Sequence, residues 1–178
     1  TVIDRQRARG PVLATLGGDF LSPSPAGMAI VDGKAVAGRH MVDVLNAMGL
    51  QWATLGNHEF DLKADVYDET MAAAKFKVVI SNVADKVHPI SHTVPYAIVP
   101  VKIGSRTVRV GLIGVMLDPR RPEVQFTDPI QSARAQVAQL AGKVDAIVAL
   151  THQTLLADRA LVEAVPEIDL VLGGHEHE

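Results

Sequence analysis

The chain has 178 residues, 48% of them apolar, which suits a single domain around one sizeable core. Its 17 basic and 20 acidic side chains leave a formal charge of -3 with no basic run, so the footprint expected for a nucleic-acid polymer or an anionic membrane is missing. Zero cysteines exclude disulfides, thiolate metal sites and a Cys nucleophile; any metal must be held by His, Asp, Asn or water.

No apolar run approaches the length of a membrane span, and the start Thr1-Val2-Ile3-Asp4-Arg5 has neither an initiator Met nor a signal-peptide pattern, so a trimmed N-terminus is expected. Short apolar runs at 12–16, 52–55, 77–81, 146–150 and 170–172 read as buried strands. Between the first two, Met41, Val44, Leu45 and Met48 share one helical face ending at Gly49, and a second helix is expected over 64–74. Residues 96–103 and 106–115, joined by Gly104-Ser105, predict a β-hairpin.

A third helix opens with Asp128 as N-cap, Pro129 at the first helical position and Gln131 in capping-box position. It carries Ile130, Ala133, Val137 and Leu140 on one face and stops at Gly142. A fourth covers 155–164, before Pro166. Alternating strands and helices with a hairpin in the middle predict an α/β fold whose sheets are mixed, with no internal domain boundary over 1–178. The Pro-rich stretches Ser22-Pro23-Ser24-Pro25 and Asp118-Pro119-Arg120-Arg121-Pro122 read as ordinary loops.

The chemistry gathers where the strands end. In order these ends are Gly17-Gly18-Asp19, Gly56-Asn57-His58-Glu59-Phe60-Asp61, Ser81-Asn82, Thr151-His152 and Gly173-Gly174-His175-Glu176-His177. Four of the seven histidines lie there, a placement that packing alone does not explain. Strand-end loops are where α/β sheets build sites, and the oxygen-plus-imidazole set suits Mn²⁺, Mg²⁺ or Zn²⁺. Each residue also has a plainer reading: Asp19 as a turn residue, Asn57 and His58 as helix caps, His152 as a satisfied polar residue, Asn82 as turn chemistry, and His175 with His177 as a His-rich tail. Glu59 and Glu176 read as supporting residues, His40, His88 and His92 as surface residues, and Trp52 and Tyr96 as core or sheet residues.

In this order the motifs resemble those of the calcineurin-like metallophosphoesterases, closest to the bacterial 5'-nucleotidase and 2',3'-cyclic-nucleotide phosphodiesterase branch, from about Val12 to the last residue. The resemblance implies a sandwich of two mixed sheets flanked by helices. It implies two divalent ions (Mn, Zn, Fe, Co or Mg) bridged by Asp19, with Asn57, His152 and His175 around one and His177 reaching the other. His58, oriented by Asp61, would face the scissile phosphate and help protonate the leaving oxygen while an activated water attacks phosphorus in line.

The implied activity is a metal-dependent phosphatase of small phosphate esters, nucleotides foremost, and the implied location is periplasmic or extracellular. One departure stands out: nothing before Asp19 matches the family's opening Asp-x-His, and Asp4 has Gln6 two positions on. A fold lacking its first strand and its C-terminal nucleotide-binding domain is therefore expected, with weak metal retention and little activity in these 178 residues. A non-catalytic metal-binding or scaffold domain, or a phosphodiesterase or pyrophosphatase of the same fold, are the alternatives.

Overall fold

The computed structural model describes residues 2–85 and 90–177. In chain order its elements are α1 (Val2–Arg7), β1 (Thr15–Leu16), β2 (Ile30–Val31), β3 (Lys34–Ala35), α2 (Arg39–Met48), β4 (Trp52–Ala53), a 3-10 helix (Asn57–Asp61), α3 (Ala64–Met71), β5 (Lys77–Val79), β6 (Val83–Asp85), β7 (Thr93–Val94), β8 (Tyr96–Ile103), β9 (Arg106–Met116), β10 (Val124–Phe126), α4 (Pro129–Leu140), β11 (Ala146–His152), α5 (Leu155–Ala164) and β12 (Leu170–Leu172). Every predicted strand and helix is present; the strands expected over 12–16, 52–55 and 77–81 and the helix over 64–74 are shorter, whereas β9 and β11 run past their expected ends. His88 lies outside the described residues.

Two four-stranded sheets form the body. One, in the order β1-β4-β5-β7, is parallel at every described pairing. The other, β12-β11-β9-β8, is mixed: β12 and β9 run parallel to β11, and β8 closes the edge as the antiparallel arm of the predicted hairpin. Two small antiparallel ribbons, β2-β3 and β6-β10, were not apparent from the pattern. This is a mixed α/β fold with parallel and antiparallel sheets flanked by helices.

Alternation along the strands divides the core into three layers. Val79, Leu112 and Leu150 meet between the sheets. Their chain neighbours face outward: Val78 and Ile80 pack under Val42, Leu45, Tyr67 and Met71 of α2 and α3, while Ile113, Val115, Ile147 and Ala149 pack under Ala133, Val137, Leu140 and Leu161 of α4 and α5. Each fully buried side chain of this size contributes about 1.5–3 kcal/mol by leaving water. The sheets approach closely at Gly114, where a Cβ would overlap the Val79 carbonyl. Ser81 N–H donates to Gly114 O at 2.6 Å.

The local signals hold where the chemistry is local. Asp128 accepts the Gln131 N–H at 2.9 Å as N-cap of α4, with Pro129 following. Gly49 ends α2 in the left-handed conformation. The face of α2 needs correction: Val42 and Leu45 are buried, whereas Val44 and Met48 are 47% and 41% exposed. Val42 and Leu45, three residues apart, pack against Tyr67, Met71 and Val78, and at the N-cap Gly38 comes so close to Leu21 that a Cβ there would fall 2.7 Å from its backbone. Among the described residues no helix is long and apolar enough to cross a membrane.

Candidate metal centre

The ends of β1, β4, β11 and β12 converge at one edge of the sandwich. After β1 the chain turns through Gly18 at φ 89 and Asp19 at φ 56, and after β4 it passes Gly56 into the 3-10 helix. These turns touch: a Cβ on Gly18 would fall 2.6 Å from Gly56 N and 2.7 Å from His152 Nδ1, and one on Gly56 would strike the Asp19 carboxylate. Only glycine permits that approach, so both motifs carry it.

Glu59 knits the first two turns together. Fully enclosed, its carboxylate accepts the backbone N–H groups of Asp19 (2.8 Å), Phe20 (2.7 Å), Leu21 (3.0 Å) and Gly56 (2.7 Å). Burial pushes this carboxyl above its usual range, and the N–H donors and the charge of Asp19 act on it in opposite senses.

Asp19, His152 and His175 each offer a ligand atom, and these atoms lie within 4.8 Å of one another. His152, at the end of β11, is 1% exposed, and its Nδ1 lies 2.5 Å from Gly17 O. A carbonyl only accepts, so Nδ1 carries the proton and Nε2 presents its lone pair to the cluster. That is how a metal-ligating imidazole is held. Nε2 stands 3.0 Å from Asp19 Oδ2, an ion-pair distance when the ring is charged, and Asn57 Oδ1 is buried with no hydrogen-bond partner. A buried imidazole nitrogen facing a carboxylate, and an orphaned amide oxygen in the turn that adjoins it, are a donor set that a cation would take up.

The charges agree. For Asp19, burial acts upward, but His152 and the His58 N–H outweigh it and hold the carboxyl below its ordinary value. For His152, burial acts downward, and Asp19, the Gly17 carbonyl and Glu59 together raise it. His175 packs edge-on against His152 with ring centroids 5.1 Å apart. His177 lies outside this cluster, exposed, at the mouth of a 520 Å³ cleft that it lines with Gln153, Asp158, Arg159, His175 and Glu176.

His58 points its Nδ1 at Asp61 Oδ2, 2.7 Å away, while its own N–H donates to Asp19 Oδ1 at 3.0 Å. Asp61 also accepts from Ser22 Oγ (3.2 Å) and from the Arg121 guanidinium (2.8 Å). Arg121 was assigned to an ordinary loop; sixty residues separate it from Asp61, and nothing in its neighbours announces the contact. Asn82 is no ligand candidate here, since its amide is spent on Met116 N, Met116 O and Thr127 O.

The metallophosphoesterase YunD of Bacillus subtilis is 34% identical over 81% of this chain, and a snake venom 5'-nucleotidase of Gloydius brevicauda is 32% identical over 78%. The chain spans 32% and 25% of the lengths of those two proteins. Among solved structures, a 5'-nucleotidase precursor from Thermus thermophilus superposes with a TM-score of 0.83 at 32% identity, over 99% of this chain and 35% of its own. The calcineurin-like phosphoesterase family matches residues 1–178. Since that match takes in every residue, and relatives and structural neighbours fall in the nucleotidase branch, the chain belongs to the calcineurin-like phosphoesterases.

Proposed function

We propose that this domain hydrolyses small phosphate esters, 5'-nucleotides first among them, with two divalent ions. The observation that carries the reading is the gathering of ligand atoms of Asp19, His152 and His175 within 4.8 Å of one another, with Asn57, whose buried Oδ1 has no hydrogen-bond partner, between Gly56 and His58, which both meet the Asp19 carboxylate. Membership of a phosphoesterase family and the nucleotidase names of its relatives support the reaction class.

Asn57, His152 and His175 would surround one ion, Asp19 would be shared by both, and His177 would serve the second. Bound there, divalent ions supply Lewis acidity toward the phosphoryl oxygens and lower the pKa of a water molecule. The chain's own groups do the rest. Asp61 accepts from His58 Nδ1 and so leaves Nε2 free, and in the imidazolium form Nε2 carries the proton that would go to the leaving oxygen, the ring ending neutral. Arg121 and Ser22 fix the Asp61 carboxylate, and the His58 N–H fixes Asp19, so the acid and the ligand cannot drift apart.

The test is phosphate release from 5'-nucleotides and an aryl phosphate by the full-length protein with Mn²⁺ or Zn²⁺. Turnover that collapses in Asp19→Asn is expected. No turnover on either substrate class, together with an Asp19→Asn variant indistinguishable from wild type, would sink the reading.

A further inference from the structure

His175 has φ 92 and His177 φ 57. Left-handed backbone at a non-glycine residue costs roughly 1–3 kcal/mol and persists only where its surroundings dictate it. Three contacts do so here. Gly174 N–H donates to Thr151 O at 2.9 Å. Glu176, between the two histidines, accepts through Oε2 the N–H of Leu155, the first residue of α5, at 3.0 Å. Asp158, in the first turn of that helix, brings Oδ2 to 2.7 Å from where a Cβ on Gly173 would stand, while Oδ1 accepts from Gln153 Nε2 at 3.0 Å.

Neither Glu176 nor Asp158 belongs to the ligand cluster, so neither carboxylate is spent on a cation there. A carboxylate on the first N–H of a helix satisfies an orphan donor and meets the positive end of the helix dipole. The loop carrying His175 is thus fastened to α5 at both ends: at Gly173 by packing on Asp158, and at Glu176 by a charge-assisted hydrogen bond.

We propose that Glu176, docked on the first N–H of α5, is a positioning residue that holds His175 in its left-handed, ligand-presenting conformation, with Asp158 supporting the same loop at Gly173. The inference rests on the reading of this site as a metal centre. Its consequence is that metal affinity is set partly from α5, by a residue that touches no metal.

The test compares wild type with Glu176→Ala and Glu176→Gln, the latter keeping an acceptor oxygen for Leu155 N–H. Zn²⁺ affinity is measured by competition with a chromophoric chelator, and amide exchange is followed in the metal-free protein. Glu176→Ala is expected to weaken Zn²⁺ binding about tenfold or more, with Glu176→Gln recovering most of the loss. In the metal-free protein the Gly174 amide should exchange about tenfold faster in Glu176→Ala while the β9–β11 amides keep their wild-type rates.

Unchanged Gly174 exchange overturns the proposal, and so does acceleration of the β9–β11 amides in step with it, the mark of a merely global effect. If wild type binds Zn²⁺ and Glu176→Ala binds it equally well, the proposal also fails. A wild type that takes up no Zn²⁺ defeats the metal-centre reading instead, and the exchange arm still decides the role of Glu176.

Discussion

Glu59 holds Asp19 by its backbone: Oε2 accepts the Asp19 N–H at 2.8 Å and, with the same oxygen, the Gly56 N–H at 2.7 Å. One buried carboxylate thereby sets the spacing between the turn that carries Asp19 and the turn that carries Asn57. Glu59→Gln places an amide donor where an acceptor stood and strands at least one buried N–H. It should cost about 3 kcal/mol or more in a denaturant melt, at roughly 1–3 kcal/mol for each orphaned donor plus the loss of charge assistance. A melt within about 0.5 kcal/mol of wild type would contradict this account.

Gly56→Ala tests the closeness of the turns. The added Cβ would strike Asp19 Oδ1 and lie 2.7 Å from His152 Cε1. Overpacking of this kind costs roughly 1–3 kcal/mol, and here it also spreads the acceptors. Calorimetry should show a lowered melting temperature together with weakened Zn²⁺ binding; a variant melting like wild type and binding equally well would mean the turns have room to spare.

The pH dependence has two opposed parts. Asp19 is lowered in the fold, so its stabilisation is present above its unfolded value and lost as pH falls through the folded one. His152 is raised, so its stabilisation is full below its unfolded value and lost as pH rises through the folded one. The metal-free protein should therefore melt highest between the two, and lose stability toward alkaline pH as His152 becomes neutral. Metal uptake runs the other way, since a ligand imidazole must shed its proton. Zn²⁺ affinity should rise across the same interval, which paired melts and titrations over a pH series would show.

His58→Asn and Asp61→Asn separate chemistry from metal binding. Loss of a positioned acid lowers turnover by about 10²–10⁴. Metal content should stay at the wild-type level in His58→Asn, because His58 reaches Asp19 through its backbone N–H, which the substitution keeps. Arg121→Gln breaks only a half-exposed ion pair, so its effect on stability should stay within about 1 kcal/mol. Metal analysis beside steady-state kinetics of the full-length protein checks the first two variants, and a denaturant melt checks the third.

Sequence revealed those parts of the fold whose cause lies within a few residues. The cap of α4, the Gly104-Ser105 turn and the apolar strands are of that kind. Candidate ligands were visible because they sit at strand ends, which a linear pattern marks. The buried face of α2 was hidden because it is set by packing against residues remote in sequence, Met71 and Val78 among them, and the role of Arg121 because it depends on a partner sixty residues away. Glu59 is intermediate: its burial fits a supporting residue, but the count of N–H groups it gathers depends on the fold of the preceding turn.

The bond between His152 and Gly17 joins residues 135 apart in the chain, and His175 comes later still. During synthesis the carboxylate of Asp19 emerges more than a hundred residues before its imidazole companions, so no shorter nascent chain can assemble the cluster, and closing so long a span is slow. Capture of a cation at this edge would then report that the two sheets have come together, and it would lock in a structure already made rather than guide its making.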